Sequence, residues 1–102
     1  MGAREPNLRE PCIYIMANKR HGTIYTGVTS NLARRVHEHR TDRIQGFTSR
    51  YQCHFLVYYE YYPRMDEAIT REKRIKAGSR QKKIALIESL NPDSRDLHND
   101  LT

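Results

Sequence analysis

Five side chains of this sequence have the types and spacing to act together: Tyr14, Tyr25, Arg35, His39 and Glu72. A phenol and an imidazole exchange protons, a guanidinium meets an anion, and a carboxylate among apolar residues calls for a cation. Arg35 and His39 are four apart, so a helix stacks them on one face. Glu72 is the most demanding of the five. At about 100° per residue it falls roughly 40° from Ala68, between Ile75 and Met65, inside the apolar face of its helix. A buried carboxylate costs on the order of several kcal/mol unless it is paired or holds a metal. Each residue also has a plainer reading: core tyrosines, a solvated Arg/His face, and a Glu72 salt bridge to an arginine.

The elements that must position these residues follow from periodicity. CIYIMAN (12–18) and IYTGVT (24–29) are β-rich runs, and KRHGT between them supplies Gly22 for a reversal, so they read as a hairpin. A four-residue connection, 19–22, sets Asn18 opposite Thr23 and places Tyr14, Met16, Tyr25 and Gly27 on one face; a three- or five-residue loop separates the tyrosines. Ser30 caps a helix through NLARRVHEHRTD with Leu32 and Val36 inward. RIQGFTSRYQ reads as a loop. CHFLVYYEYY (53–62) is the strongest strand, with Phe55, Val57, Tyr59 and Tyr61 on one side and Leu56, Tyr58 and Tyr62 on the other. After Pro63 a helix through RMDEAITREKRIKAG ends at Gly78, with Asp66 and Glu67 in the first turn where the dipole favours acids. A last helix, RQKKIALIESL, follows Ser79 and stops before Pro92. Element order is therefore ββαβαα, an α+β domain over 12–91. A mobile polar segment precedes it at 1–11, and a tail follows at 92–102.

Charge narrows the class of partner. The net charge of +6 divides into 0 over residues 1–18, +9 over 19–83 and −3 over 84–102, so the middle of the chain is built for a polyanion, nucleic acid first. No apolar run reaches the ~20 residues of a membrane span, and the polar start MGAREPNLREPC has no signal-peptide core, so the expected location is the cytoplasm. Two cysteines, Cys12 and Cys53, are too few for a disulfide framework and read as small core residues. His21, His37, His54 and His98 show no metal-ligand spacing, and no Ser-His-Asp set, Walker loop or carboxylate cluster is present.

CIY at 12–14, YTG at 25–27, NLARRVHEH at 31–39 and AITREKRIK at 68–76 together resemble the GIY-YIG nuclease family, over Cys12 to Asn91. The pattern is nearest the short stand-alone bacterial members and is similar to the nuclease domain of the excision-repair endonuclease, which suggests a DNA-repair setting. The resemblance implies a three-stranded antiparallel sheet flanked by helices. It also implies metal-dependent hydrolysis of DNA phosphodiester bonds, with one divalent ion, Mg2+ or Mn2+, on Glu72. Tyr14 or Tyr25 then activates water. Tyr14 backed by a neutral His39 is the preferred base, Tyr25 a positioner, and Arg35 a stabiliser of phosphate charge. Asn91 matches a supporting asparagine. Cys12 and Thr26 replace a glycine and an isoleucine of the two name motifs, Val28 stands where the excision-repair branch has a lysine, and Ser94 stands where short members carry a tryptophan.

Arg50, Lys73, Lys76, Arg80, Lys82 and Lys83 are the expected backbone contacts, setting affinity rather than sequence choice. Branched or single-stranded DNA and RNA are all open as substrates, as are a protein partner and a homodimer. The alternative function is a nucleic-acid-binding module with little or no catalysis, in which the tyrosines, Phe47, Arg50 and Tyr51 grip strands.

Overall fold

A computed structural model describes residues 10–44 and 46–101; the N-terminal segment expected to be mobile lies, apart from residues 10 and 11, outside them. Three antiparallel strands, β1 (Cys12–Ala17), β2 (Ile24–Thr29) and β3 (Phe55–Tyr61), form one sheet in the order β2-β1-β3. β1 is central and almost fully enclosed, from Cys12 to Met16 at 0% exposure, because its β-branched and aromatic residues face a core on each side. The hairpin has the register that a four-residue connection requires, with Tyr14 opposite Gly27 and Met16 opposite Tyr25.

Helices cover both faces. Cys12, Tyr14, Met16 and Leu56 pack with Leu32 and Val36 of α1 (Leu32–Arg40), and with Leu97 and Leu101 of a 3-10 helix, Leu97–Leu101, in the C-terminal segment. Ile13, Ile15, Val57 and Tyr58 pack on the other face against Ala68 and Ile75 of α3 (Met65–Ala77) and Ile87 of α4 (Arg80–Leu90). Each such side chain contributes on the order of 1.5–3 kcal/mol by leaving water. Both cysteines are free and buried in the first cluster. Among the described residues no helix is long and apolar enough to cross a membrane.

Three local expectations are corrected. Asn31, not Ser30, caps α1, accepting from the Arg34 amide at 3.1 Å. The stretch expected to be a loop contains a short helix, α2 (Phe47–Tyr51), entered through Gly46 at φ 112° and closed by Gln52 in the left-handed region. Strict alternation in β3 fails at a bulge: the register with β1 shifts between Ile15 and Met16, so Leu56 joins the face of Tyr59 while Val57 shares that of Tyr58.

Asn91 manages the consequence of that bulge. Its Nδ2 donates to the Val57 carbonyl at 3.1 Å and to the Arg95 carbonyl at 2.7 Å, and its Oδ1 accepts from the Arg95 amide at 3.1 Å. At 3% exposure it ties α4, β3 and the C-terminal segment together. Asn91→Ala is expected to cost about 2 kcal/mol of unfolding free energy, because buried backbone groups lose their partners. A urea midpoint unchanged from wild type would show that these bonds carry no net stability.

Candidate active site

Tyr14 is the buried centre of the polar and aromatic cluster on the α1 face. Its ring lies across β2 because its cross-strand partner is Gly27: a Cβ there would stand 2.6 Å from both Cζ and Oη of Tyr14. The hydroxyl meets His39 Nε2 at 2.9 Å, and His39 Nδ1 meets Thr48 Oγ1 at 3.1 Å. Tyr25 closes the group, its ring centroid 6.3 Å from that of Tyr14 and 5.5 Å from that of His39. The α1 spacing explains the placement of His39, which lies one turn beyond Arg35 and beside the inward Val36.

Electrostatics follow from enclosure. Burial, reinforced by the neighbouring Tyr25 phenol and only partly offset by the Arg35 charge, pushes Tyr14 well above the ordinary tyrosine range. Burial, with the Arg35 charge adding to it, lowers His39 to about 4. At neutral pH the pair is therefore a phenol and a neutral imidazole. The hydrogen-bond balance is met when Tyr14 donates to Nε2 and the Nδ1 proton goes to Thr48. Arg35 is half-exposed and pairs with Glu38 at 3.2 Å; Glu38 also holds Arg34 at 3.3 Å.

Glu72 approaches from α3, which packs along β1 and β2. Its side chain is only 12% exposed, and Oε2 lies 2.7 Å from Lys76 Nζ, one turn along the helix. That ammonium stands 5.9 Å from the Tyr25 ring centroid at the β2 edge, whereas α3 itself packs on the sheet face opposite Tyr14, so the acid meets the tyrosine cluster through Lys76. Lys76 and Lys83 line a groove of about 340 Å³ beside Tyr25 and Phe47. The other cations expected on nucleic acid are dispersed. Arg50 sits over the Tyr51 ring at 5.6 Å, and Lys73 and Lys82 are exposed. Arg80 is engaged internally, donating at 2.7 Å to the carbonyls of His21 and Gly22. Asn91 lies in the packing of β3 and the C-terminal segment, bonded to Val57 and Arg95 rather than to the tyrosines or His39.

A family model described as the GIY-YIG catalytic domain matches residues 10–85, a span that holds all five side chains. The chain belongs to the GIY-YIG family. Within that family it is 36% identical over 76 residues to a UPF0213 protein of Staphylococcus haemolyticus, covering 74% of this chain and 92% of the relative. A UPF0213 protein of Staphylococcus saprophyticus is 37% identical over 75 residues, covering 74% and 90%. The solution NMR structure of a UPF0213 protein from Bacillus halodurans superposes with a TM-score of 0.52 at 28% identity, over 80% of this chain and 86% of that one. GIY-YIG membership implies nuclease-type activity on a nucleic-acid substrate, in a family that is generally metal-dependent.

Two features are not anticipated by the sequence reading. Thr48, 3% exposed, lies in the stretch expected to be a loop, although a small hydroxyl between aromatics four apart in FTSRY is a one-turn amphipathic signal. Glu60 accepts from Arg71 Nε and Nη2, both at 3.1 Å, from Tyr62 at 2.6 Å and from Tyr58. Arg71, next to Glu72, is the available clue.

The buried imidazole makes two outcomes measurable. The unfolded chain takes up a proton at His39 near 6.5 and the folded chain only near 4, so the stability present above pH 6.5 is lost as pH falls toward 4. Wild type should lose about 2 kcal/mol more between pH 7 and pH 4.5 than His39→Gln in urea titrations, and parallel losses would refute the low value. Thr48→Val should remove the Nδ1-protonated preference seen in imidazole 15N spectra while Thr48→Ser keeps it; identical spectra would show that Thr48 does not set the tautomer.

Proposed function

We propose that this GIY-YIG protein is an endonuclease that hydrolyses DNA phosphodiester bonds, with the buried Tyr14–His39 pair as its proton acceptor. The observation that carries the reading is the 2.9 Å contact between a protonated phenol and a neutral imidazole. A free tyrosinate is ruled out energetically: at the reference value near 10, ionisation at pH 7 already costs about 4 kcal/mol, and burial raises that cost for Tyr14. A relay avoids it. Water gives its proton to Tyr14 Oη as Tyr14 passes its own to His39 Nε2, the hydroxide attacks phosphorus, and the departing alkoxide takes a proton from solvent. His39 ends as an imidazolium with Nδ1–H still directed at Thr48.

Tyr14 is fully enclosed in the free protein, so this step requires substrate phosphate to draw Arg35 away from Glu38 and open that corner. Arg35 then neutralises charge on the phosphate in the transition state. A second assignment is favoured by exposure: Tyr25 is partly open and lines the groove with Lys76 and Lys83, making it the phenol that meets water, with Tyr14 and His39 behind it.

The donor set suits one hard cation. Among the described residues no group of three or more His, Cys, Asp or Glu can hold a metal, and Glu72 is an enclosed carboxylate whose lysine partner borders the Tyr25 groove. One carboxylate completed by water and phosphate oxygens is a magnesium-type site. Glu72 would hold the ion, which when bound would supply Lewis-acid stabilisation of the phosphate. Lys76 is the counter-ion of the free carboxylate.

The test is cleavage of plasmid and branched DNA with and without Mg2+ or Mn2+. Glu72→Ala and Arg35→Ala should each lower cleavage by roughly 10² or more. Under the first assignment Tyr14→Phe and His39→Ala should fall together, whereas loss confined to Tyr25→Phe selects the second. Full cleavage by Glu72→Ala would remove the assignment to this site. Salt-sensitive binding with no cutting in any metal would leave the binding-module alternative.

A further inference from the structure

Beside the enclosed pair lies a row of aromatic rings, two of which, Phe47 and Tyr51, take no part in proton transfer under either assignment. Tyr25 stands 6.3 Å from Phe47 with ring planes 32° apart, and Phe47 stands 4.8 Å from Tyr51 at 46°. Phe47 and Tyr51 are 47% and 42% exposed. The cause is local: α2 turns Thr48 inward to His39, which leaves the i, i+4 pair Phe47 and Tyr51 on its outer face. Cations bracket the row, with Lys76 over Tyr25 at 5.9 Å and Arg50 over Tyr51 at 5.6 Å, and Lys83 joins Lys76 along the groove.

Exposed rings with cations at both ends match one chemistry better than an apolar protein surface does. An unpaired nucleobase offers a flat π-face to stack on, and the phosphates on either side of it need positive charge. A paired duplex keeps its base faces within the stack except at its ends, and so offers such a row nothing along its length. Resting on the nucleic-acid reading of this site, we infer that Tyr25, Phe47 and Tyr51 form a stacking platform for unpaired bases adjoining the scissile phosphate. The preferred substrate is accordingly single-stranded nucleic acid or the unpaired segment of a branched one. The platform shares Tyr25 with the tyrosine cluster, so a stacked base positions its own neighbouring phosphate toward Arg35 and Glu72.

The test measures binding alone, on the full chain in EDTA at fixed low salt, by fluorescence anisotropy. Three labelled probes are compared: an oligothymidylate, an abasic phosphodiester chain of the same length, and a blunt duplex. Wild type should prefer the oligothymidylate to the abasic chain by about tenfold, the order expected from base stacking. Phe47→Ala and Tyr51→Ala should each erase most of that preference while leaving abasic-chain affinity and the urea midpoint unchanged, and Phe47→Trp should retain it. Equal affinity for the two single strands overturns the inference, as does a variant that weakens both alike or tightest binding to the duplex. Cleavage without base preference keeps the nuclease and removes the platform. Base preference without cleavage in any metal keeps the platform and removes the nuclease.

Discussion

A phenol at 0% exposure has to find a hydrogen-bond partner within the protein, and Tyr14 finds His39 at 2.9 Å. Much of the architecture answers to that requirement. Gly27 leaves room for the ring on β2, Leu32 and Val36 seat α1 so that His39 faces inward, and α2 brings Thr48 to the far nitrogen. Disturbing any of these strands a buried polar atom, which costs on the order of 1–3 kcal/mol. The short helix therefore has two jobs. It satisfies the imidazole on its inner side and presents aromatic rings on its outer side.

The electrostatic plan sets neutral groups inside and cations around them. His39 stays uncharged because it is buried beside Arg35, while that arginine and Arg34 share Glu38. Across β2, Lys76 balances Glu72. Each of these cations thus has an acid as a resting partner, and any incoming anion would compete with a carboxylate for it. Excess positive charge in the middle of the chain supplies the field for that competition.

Much of this is legible in the sequence because the relevant signals are short-range. Hairpin parity sets both tyrosines on one face, the four-residue spacing of Arg35 and His39 sets a helix face, and the angular position of Glu72 predicts its enclosure. Family likeness selects the same residues, and family membership and sheet architecture agree with it. What escapes depends on tertiary structure. A bulge in β3 is invisible to a strict two-residue alternation, and a five-residue helix is too short for periodicity to register. The plainer reading of Glu72 is a salt bridge to an arginine, but the i, i+4 lysine is its partner in the fold. Asn91, which the motif suggests as a supporting residue, bonds the Val57 carbonyl and the Arg95 backbone, contacts that only the folded chain reveals.

The two-pronged grip of Arg71 on Glu60 fixes more than an ion pair. The apolar stripe of α3, with Ala68 and Ile75 on the sheet, opposes a large roll of the helix about its long axis but leaves its exact bearing to polar contacts at the margin of the stripe. Arg71 locks that bearing as a key does in its keyway, with two parallel bonds into a strand residue held on both sides by tyrosine hydroxyls. The residue next in the chain is Glu72, so its bearing is inherited from its neighbour's anchorage. The aim of Glu72 is set, in effect, by a clamp on the opposite edge of the sheet from Tyr25.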